Sequence, residues 1–234
     1  MRQRRKFFDI YIDSFSFADL DYINQGDFIV TLNMEHLHFM QKSPDFIEDL
    51  QKADWIIADS ISIVLLAKFI YKGTDFAKNI FKIPGIDLAE KLIERFKKIA
   101  FLGSTQQVCN KLQKKFSEKL VFCHHGYFEI DEEEKILEEI KNSQTEILFV
   151  ALGCPKQEKF LAKHQKTLEN ITKIGVGGAF DIWSEEKKRA AKIFRFLNLE
   201  WLFRIFQEPF RVFRFFNNVH SFVLFFLSSL FDEG

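Results

Sequence analysis

Ile147-Leu148-Phe149-Val150-Ala151-Leu152-Gly153-Cys154-Pro155-Lys156-Gln157-Glu158 is the stretch whose reading decides the fold. Its opening apolar run reads as a buried strand. Gly153 and Pro155 stop the strand abruptly. Lys156, Gln157 and Glu158 follow, and Phe160-Leu161 begin a helical pattern. The segment is a strand, a sharp turn and a helix start carrying a cation, an amide and a carboxylate. In open α/β sheets, ligands bind at the carboxyl ends of strands, beside helix N-termini with free N–H groups. A single turn of this kind is also compatible with solvated surface charge, so the rest of the chain has to decide.

Outward from that segment, apolar runs alternate with longer amphipathic ones. Phe28 to Asn33, Asp54 to Asp59, Ile99 to Gly103, Leu120 to Tyr127 and Ile171 onward read as strands. His36–Asp49, Ile61–Tyr71, Asp87–Lys98, Asp131–Asn142 and a segment ending near Leu168 read as helices. This alternation predicts an α/β fold: a Rossmann-like, mainly parallel sheet flanked by helices. Strand-end residues then collect on one edge, among them Thr31, Asn33, Asp59, Gly103, Ser104, Gly126, Tyr127, Gly153, Gln157 and Asp181. Topology makes a site there without naming its chemistry.

The 234 residues suit one domain, or one domain with an appendage. Lys and Arg balance Asp and Glu at 33 each, which gives no support for nucleic-acid binding. Phenylalanine is unusually abundant, at 30 residues, and dense toward the C-terminus. Beyond Asn198, Trp201, Phe203, Phe206, Phe210, Phe213, Phe216 and Phe222 recur at helical spacing, with Arg204, Arg211 and Arg214 between them. Pro209 interrupts that pattern. One reading is a helix pair packed on the core. The other is a membrane-docking helical appendage, with aromatics among headgroups and arginines facing anionic lipid. We therefore divide the chain into a catalytic core, 1–195, and an appendage, 196–234.

No run reaches the roughly 20 apolar residues that span a bilayer. The basic start, Met1 to Lys6, lacks the apolar core and cleavage site of a signal peptide. Cys109, Cys123 and Cys154 are far apart and read as reduced thiols of a cytosolic protein. Cys123-His124-His125, without a second ligand pair, is a weak metal motif.

Asp59, at a strand end before a buried helix, is placed for a general base; alternatively Asp59 or Ser60 only caps that helix. Thr31 and Asn33 project from one face of their strand and suit sugar hydroxyls, or simple strand-end hydrogen bonds. Gly103-Ser104-Thr105 puts small residues at a helix N-terminus, a plausible diphosphate cradle. Neither G-x-G-x-x-G nor G-x-x-x-x-G-K-[ST] occurs, which weakens dinucleotide and ATP readings. Asp19-Leu20-Asp21 is a D-x-D, but residues two apart on a helix do not face one another.

Taken in order, these blocks resemble the WecG/TagA/CpsF glycosyltransferases over most of the chain. They are Thr31-Leu32-Asn33-Met34-Glu35-His36-Leu37, Ala58-Asp59, Gly85-Ile86-Asp87, Phe101-Leu102-Gly103 and Gly126-Tyr127-Phe128. Then come Leu152 to Glu158, Gly175 to Asp181, Lys188-Arg189-Ala190, and Leu199 to Arg204 continuing to Pro209 and Arg214. The resemblance implies an inverting transfer of an N-acetylmannosamine-type sugar from a UDP donor. The implied acceptor is a polyprenyl-diphosphate-linked sugar, for cell-surface polysaccharide, at the inner membrane face. It also implies no cofactor and no metal, a cytoplasmic protein peripheral on the membrane surface, and leaves a homo-oligomer open. By motif, Asp59 is the base; Thr31, Asn33 and Gln157 hold donor sugar and acceptor. Lys82 stands in the place of a catalytic arginine. Tyr127 and Asp181 contact the nucleoside, with Gly103, Ser104, Gly126, Gly153 and Lys156 lining the substrate. Arg204, Arg211 and Arg214 close the site from a mobile tail and offset charge on the departing diphosphate.

Four positions depart from the family pattern. Ser60 stands for a glycine, Lys82 for an arginine, Ala191 for a proline and Glu185 for a loop glycine. Lysine keeps the charge and loses the bidentate fork. A non-catalytic UDP-sugar-binding or scaffold protein at the membrane is the alternative these changes leave. A nucleotide-dependent oxidoreductase lacks its glycine fingerprint.

Overall fold

The computed structural model describes residues 2–231; Met1 and residues 232–234, the end of the expected appendage, lie outside the described residues. A hairpin of β1 (Arg4–Phe7) and β2 (Ile10–Asp13) opens the chain, followed by a 3-10 turn (Phe17–Tyr22). The alternating part runs β3 (Phe28–Leu32), α1 (Met34–Lys42), α2 (Pro44–Gln51), β4 (Trp55–Ala58), α3 (Ile61–Ile70), α4 (Asp75–Asn79), α5 (Gly85–Arg95). It continues β5 (Ile99–Gly103), α6 (Gln106–Lys115), β6 (Leu120–His124), α7 (Glu133–Asn142), β7 (Ile147–Ala151), α8 (Lys156–Lys163), β8 (Thr172–Gly175), α9 (Ala179–Trp183). The tail holds α10 (Lys192–Phe196), α11 (Glu200–Gln207) and α12 (Arg211–Phe231).

The expected α/β architecture is present. Eight strands form one sheet in the order β1-β2-β4-β3-β8-β7-β5-β6, and every pairing but β1–β2 is parallel. Helices cover both faces of the inner strands, so every residue of β3, β4 and β5 is buried and these strands, with β7, read as nearly unbroken apolar runs. Phe28, Val30 and Leu32 enter one core with Leu148 and Val150. Ile29 enters the other with Ile57, Phe101, Ile147 and Phe149.

The hairpin is an element the sequence reading did not foresee. Asp13 is buried at its end; one carboxylate oxygen accepts from Arg2 Nε at 2.8 Å and the other from Ile56 N at 2.9 Å. That ties β2 to β4. The single helix expected over His36–Asp49 is two helices, because Pro44 has no N–H to give and starts a new one at Ser43. The expectation of three reduced thiols is also corrected: Cys109 and Cys123 are joined, with Cα atoms 6.0 Å apart, and only Cys154 is free.

The inner side of α12 packs on the core. Phe225 meets Phe8 with ring centroids 4.5 Å apart, Phe226 meets Phe69 at 5.1 Å, and Ser221 Oγ meets His38 Nδ1 at 2.9 Å. Its other side leaves Phe213 and Phe216 exposed, and Phe196, Phe206 and Phe210 of the preceding tail are exposed as well. No helix among the described residues is long and apolar enough to cross a membrane.

Candidate active site

A cavity of about 490 Å³ opens at the carboxyl ends of β3, β4, β7 and β8. It brings together Thr31, Asn33, Asp59, Gly153, Lys156, Gln157, Arg204, Arg211 and Arg214. These residues come from the ends of β3, β4 and β7 and from the tail.

Asn33 is the N-cap of α1. Its Oδ1 accepts from Glu35 N at 2.9 Å, and the His36 ring closes the reciprocal half of a capping box on Asn33 N at 3.3 Å. This directs Asn33 Nδ2 toward Asp59 Oδ2, 3.5 Å away. Asp59 Oδ1 accepts from Gly85 N, the first residue of α5, at 2.7 Å. Ser60, not Asp59, caps α3. Burial raises the Asp59 pKa above the ordinary aspartate value, against the lowering pull of the Gly85 N–H, Arg204 and Asn33. A carboxyl in that condition is a stronger base than a solvated one.

Gln157 and Glu158 are buried in the first turn of α8. Gln157 lies across β8, and its amide would collide with any side chain at Gly175, whose Cβ would sit 2.5 Å from Gln157 Nε2. Gln157 Oε1 accepts from Gly177 N at 3.1 Å, and its Nε2 donates to Glu158 Oε1 at 2.7 Å. His36 Nε2 meets the same Oε1 at 3.2 Å. Burial opposes charge on the His36 ring, but the Glu158 carboxylate outweighs it, and the net pKa is raised.

The tail brings its arginines already paired. Arg204 bridges Glu200 at 3.0 Å and Arg214 bridges Glu35 at 3.4 Å, while Arg211 pairs with Glu208. Glu208 also takes Lys187 at 2.5 Å, and Lys187 reaches Asp181 at 2.7 Å. Burial works against the Glu208 carboxylate, yet Lys187 and Arg211 hold its pKa at about 2.

The remaining sequence candidates do not line the cavity. Ser104 Oγ donates to Asp181 Oδ1 at 2.9 Å, and Gly126 N donates to Ser104 O at 2.9 Å, forming a cluster at the ends of β5 and β6. Gly103 there has φ 137°, and a Cβ would lie 2.4 Å from Ala151 O, so only glycine fits. Tyr127 is three-quarters exposed on that side. Lys82 Nζ donates to Asn198 Oδ1 at 2.9 Å, at the root of the tail.

Asp19 of the D-x-D accepts from Ser16 and caps the 3-10 turn, outside the cavity lining. Cys123 is joined to Cys109, and His124 and His125 are occupied by local contacts. Among the described residues, His36, Cys154 and Glu158 place three potential metal-ligand atoms within 4.8 Å, though His36 and Glu158 already pair with each other. Burial, then Glu158, push the Cys154 thiol well above its usual range.

Sequence reasoning passed over His36 and Glu158 as site residues, along with Glu35, Glu200, Lys187 and Glu208. The Asn33-x-x-His36 spacing of a capping box was the one local signal available for His36.

Comparison with known proteins agrees with the geometry. A protein of Staphylococcus aureus strain MW2, named N-acetylglucosaminyldiphosphoundecaprenol N-acetyl-beta-D-mannosaminyltransferase, is 30% identical over 189 residues, covering 77% of this chain and 72% of its own length. Its namesake in strain NCTC 8325 / PS 47 is 31% identical over 185 residues, 76% of this chain and 70% of its own. The profile of the glycosyl transferase WecG/TagA/CpsF family matches residues 5–233. The chain therefore belongs to the WecG/TagA/CpsF family and is a glycosyltransferase of polysaccharide synthesis.

Proposed function

We propose that the protein transfers an N-acetylmannosamine-type sugar from a UDP donor to a polyprenyl-diphosphate-linked sugar, with inversion and without a metal. One observation carries this reading: Asp59, with its raised pKa, opens on a cavity that Arg204, Arg211 and Arg214 also line. Asp59 takes the proton of an acceptor hydroxyl as that oxygen attacks the anomeric carbon. The bond from that carbon to the diphosphate breaks, and its electron pair leaves with UDP. A single displacement of this kind inverts the centre. The arginines offset the charge gained by the leaving diphosphate, as a divalent ion would elsewhere.

Thr31, Asn33 and Gln157 hold the sugars, with Gly153 and Lys156 at the lip. The Ser104–Asp181 cluster, with Gly126 and Tyr127, receives the nucleoside. Lys82 acts through the root of the tail. Exposed Phe206, Phe210, Phe213 and Phe216 rest in the membrane surface at the inner face, where a lipid-linked acceptor is held.

The test uses full-length protein, UDP-N-acetylmannosamine and an N-acetylglucosaminyl-diphosphate lipid in excess EDTA. UDP release that needs the acceptor, with a β-linked product by NMR, supports the reading. Donor binding without transfer would instead favour a non-catalytic sugar-nucleotide-binding protein. Transfer abolished by EDTA and restored by Mg²⁺ would remove the metal-free mechanism.

A further inference from the structure

Glu158 is 2% exposed and His36 likewise 2%, so a carboxylate and an imidazole are sealed together at the cavity floor, His36 as part of its lining and Glu158 behind it. Glu158 Oε2 has no hydrogen-bond partner among the described residues. Such a pair is a poor stabiliser, because removing two polar groups from water offsets most of their attraction. What it does have is directional contact with the two amides that face the substrate.

A carboxylate can only accept, so it binds the NH₂ end of the Gln157 amide; the Gly177 N–H can only donate, so it binds the oxygen end. The two contacts select the same flip of Gln157 and leave one N–H and one lone pair for the cavity. On the other side, His36 Nε2 carries its proton toward Glu158, and Nδ1 faces Asn33, 3.3 Å from its N and 3.1 Å from its Oδ1. Glu35 N keeps Asn33 Oδ1 on the α1 side and so leaves Nδ2 on the Asp59 side, while His36 Nδ1, accepting from Asn33 N, holds the backbone of that N-cap in place. The chain of contacts crosses from β7 and β8 to β3 and β4, over 122 residues of sequence between His36 and Glu158.

From this the geometry points to the His36–Glu158 pair as a positioning device: it fixes the amide of Gln157 in one orientation for transfer and seats the N-cap that carries the Asn33 amide, acting through those two residues. The assignment rests on the proposed transfer reaction, in which both amides hold sugar.

The test separates orientation from folding. Replacing the pair together, His36→Met with Glu158→Leu, exchanges a buried polar pair for apolar side chains of similar size, which is commonly neutral or stabilising. The thermal midpoint should stay at or above that of the unaltered protein. In UDP-release assays kcat should fall about 10- to 100-fold while donor KM changes less than threefold. A folded double variant with kcat within threefold of the unaltered protein would overturn the proposal.

A single isosteric change, Glu158→Gln, guards against a double variant that fails to fold. It should lower kcat about tenfold, and have no further effect once Gln157→Ala has removed the amide it orients. Equal losses in both backgrounds would show that Glu158 does not act through Gln157 and would also overturn the proposal. If the unaltered protein releases no UDP with acceptor, the transfer reading fails first, and the two failures are distinguished.

Discussion

Asp59→Asn is the substitution that most directly tests the chemistry, because the structure predicts a large effect on rate and a small one on stability. The oxygen of the introduced amide would still accept from Gly85 N, the short contact at 2.7 Å. Its NH₂ would face Asn33 Nδ2 across the present 3.5 Å, and Asn33 cannot turn over while Oδ1 is engaged by Glu35 N. That loses one weak hydrogen bond, about 1 kcal/mol. Removing a carboxyl whose charge burial disfavours offsets part of it, so the thermal midpoint should move by only a few degrees. Turnover should fall by at least about a hundredfold, or about 2.7 kcal/mol of barrier, with donor affinity retained. The pH dependence adds a sign. Asp59 must be ionised to accept a proton, and its pKa is raised, so the acid limb of kcat lies above the ordinary aspartate range. Removing the Asn33 donor should push that limb higher still, since it is a hydrogen bond to the charged form that is lost. UDP release across pH, beside calorimetric donor titration and a thermal melt, reads all of these. A well-folded Asp59→Asn protein with near-normal turnover would refute the assignment.

Three further outcomes follow from other parts of the molecule. Glu185 is exposed with φ 63°, at a position where the family pattern suggests glycine; Glu185→Gly should stabilise by about 0.5–1 kcal/mol in denaturant melts, unchanged stability contradicting the strain. Glu208 has a pKa lowered to about 2, so its contribution is full above the unfolded value near 4.5 and is lost as pH falls toward 2. With its side chain 32% exposed, that contribution is about 1 kcal/mol after solvent screening, so Glu208→Gln should cost about that at pH 7 and nothing near pH 2 in the same melts. Arg214→Ala should weaken binding to anionic vesicles by about 1 kcal/mol while lowering UDP release much further; equal losses in sedimentation and turnover would make Arg214 a membrane contact alone.

The strands were legible because burial on both faces writes them as apolar runs, and the strand ends then pointed to Thr31, Asn33, Asp59 and Gln157 without any coordinates. Arg4-Arg5-Lys6 gave no such signal: an edge strand carries charge, and charge reads as tail. The tail arginines were visible as cations, but not their carboxylate partners, which come from α1, from α11 and from the residue before Pro209. His36 and Glu158 were hidden for a different reason. Each looks like a solvated residue in the first turn of a helix, and only the crossing of two distant strand ends turns them inward against each other. Lys82 was read as a substitute inside the site, whereas its four-carbon stem reaches Asn198.

The hairpin at the start of the chain has a consequence for how copies of the protein meet. A parallel sheet that stopped at β2 would offer an open row of N–H and C=O groups to any neighbouring strand. Here β1 closes the row in antiparallel register, Arg4 opposite Asp13 and Phe7 opposite Ile10. The new rim is short and bears Arg5 and Lys6 outward, so two rims brought together would oppose cation to cation. Such a charged, short rim disfavours growth of the sheet from one molecule into the next on that side.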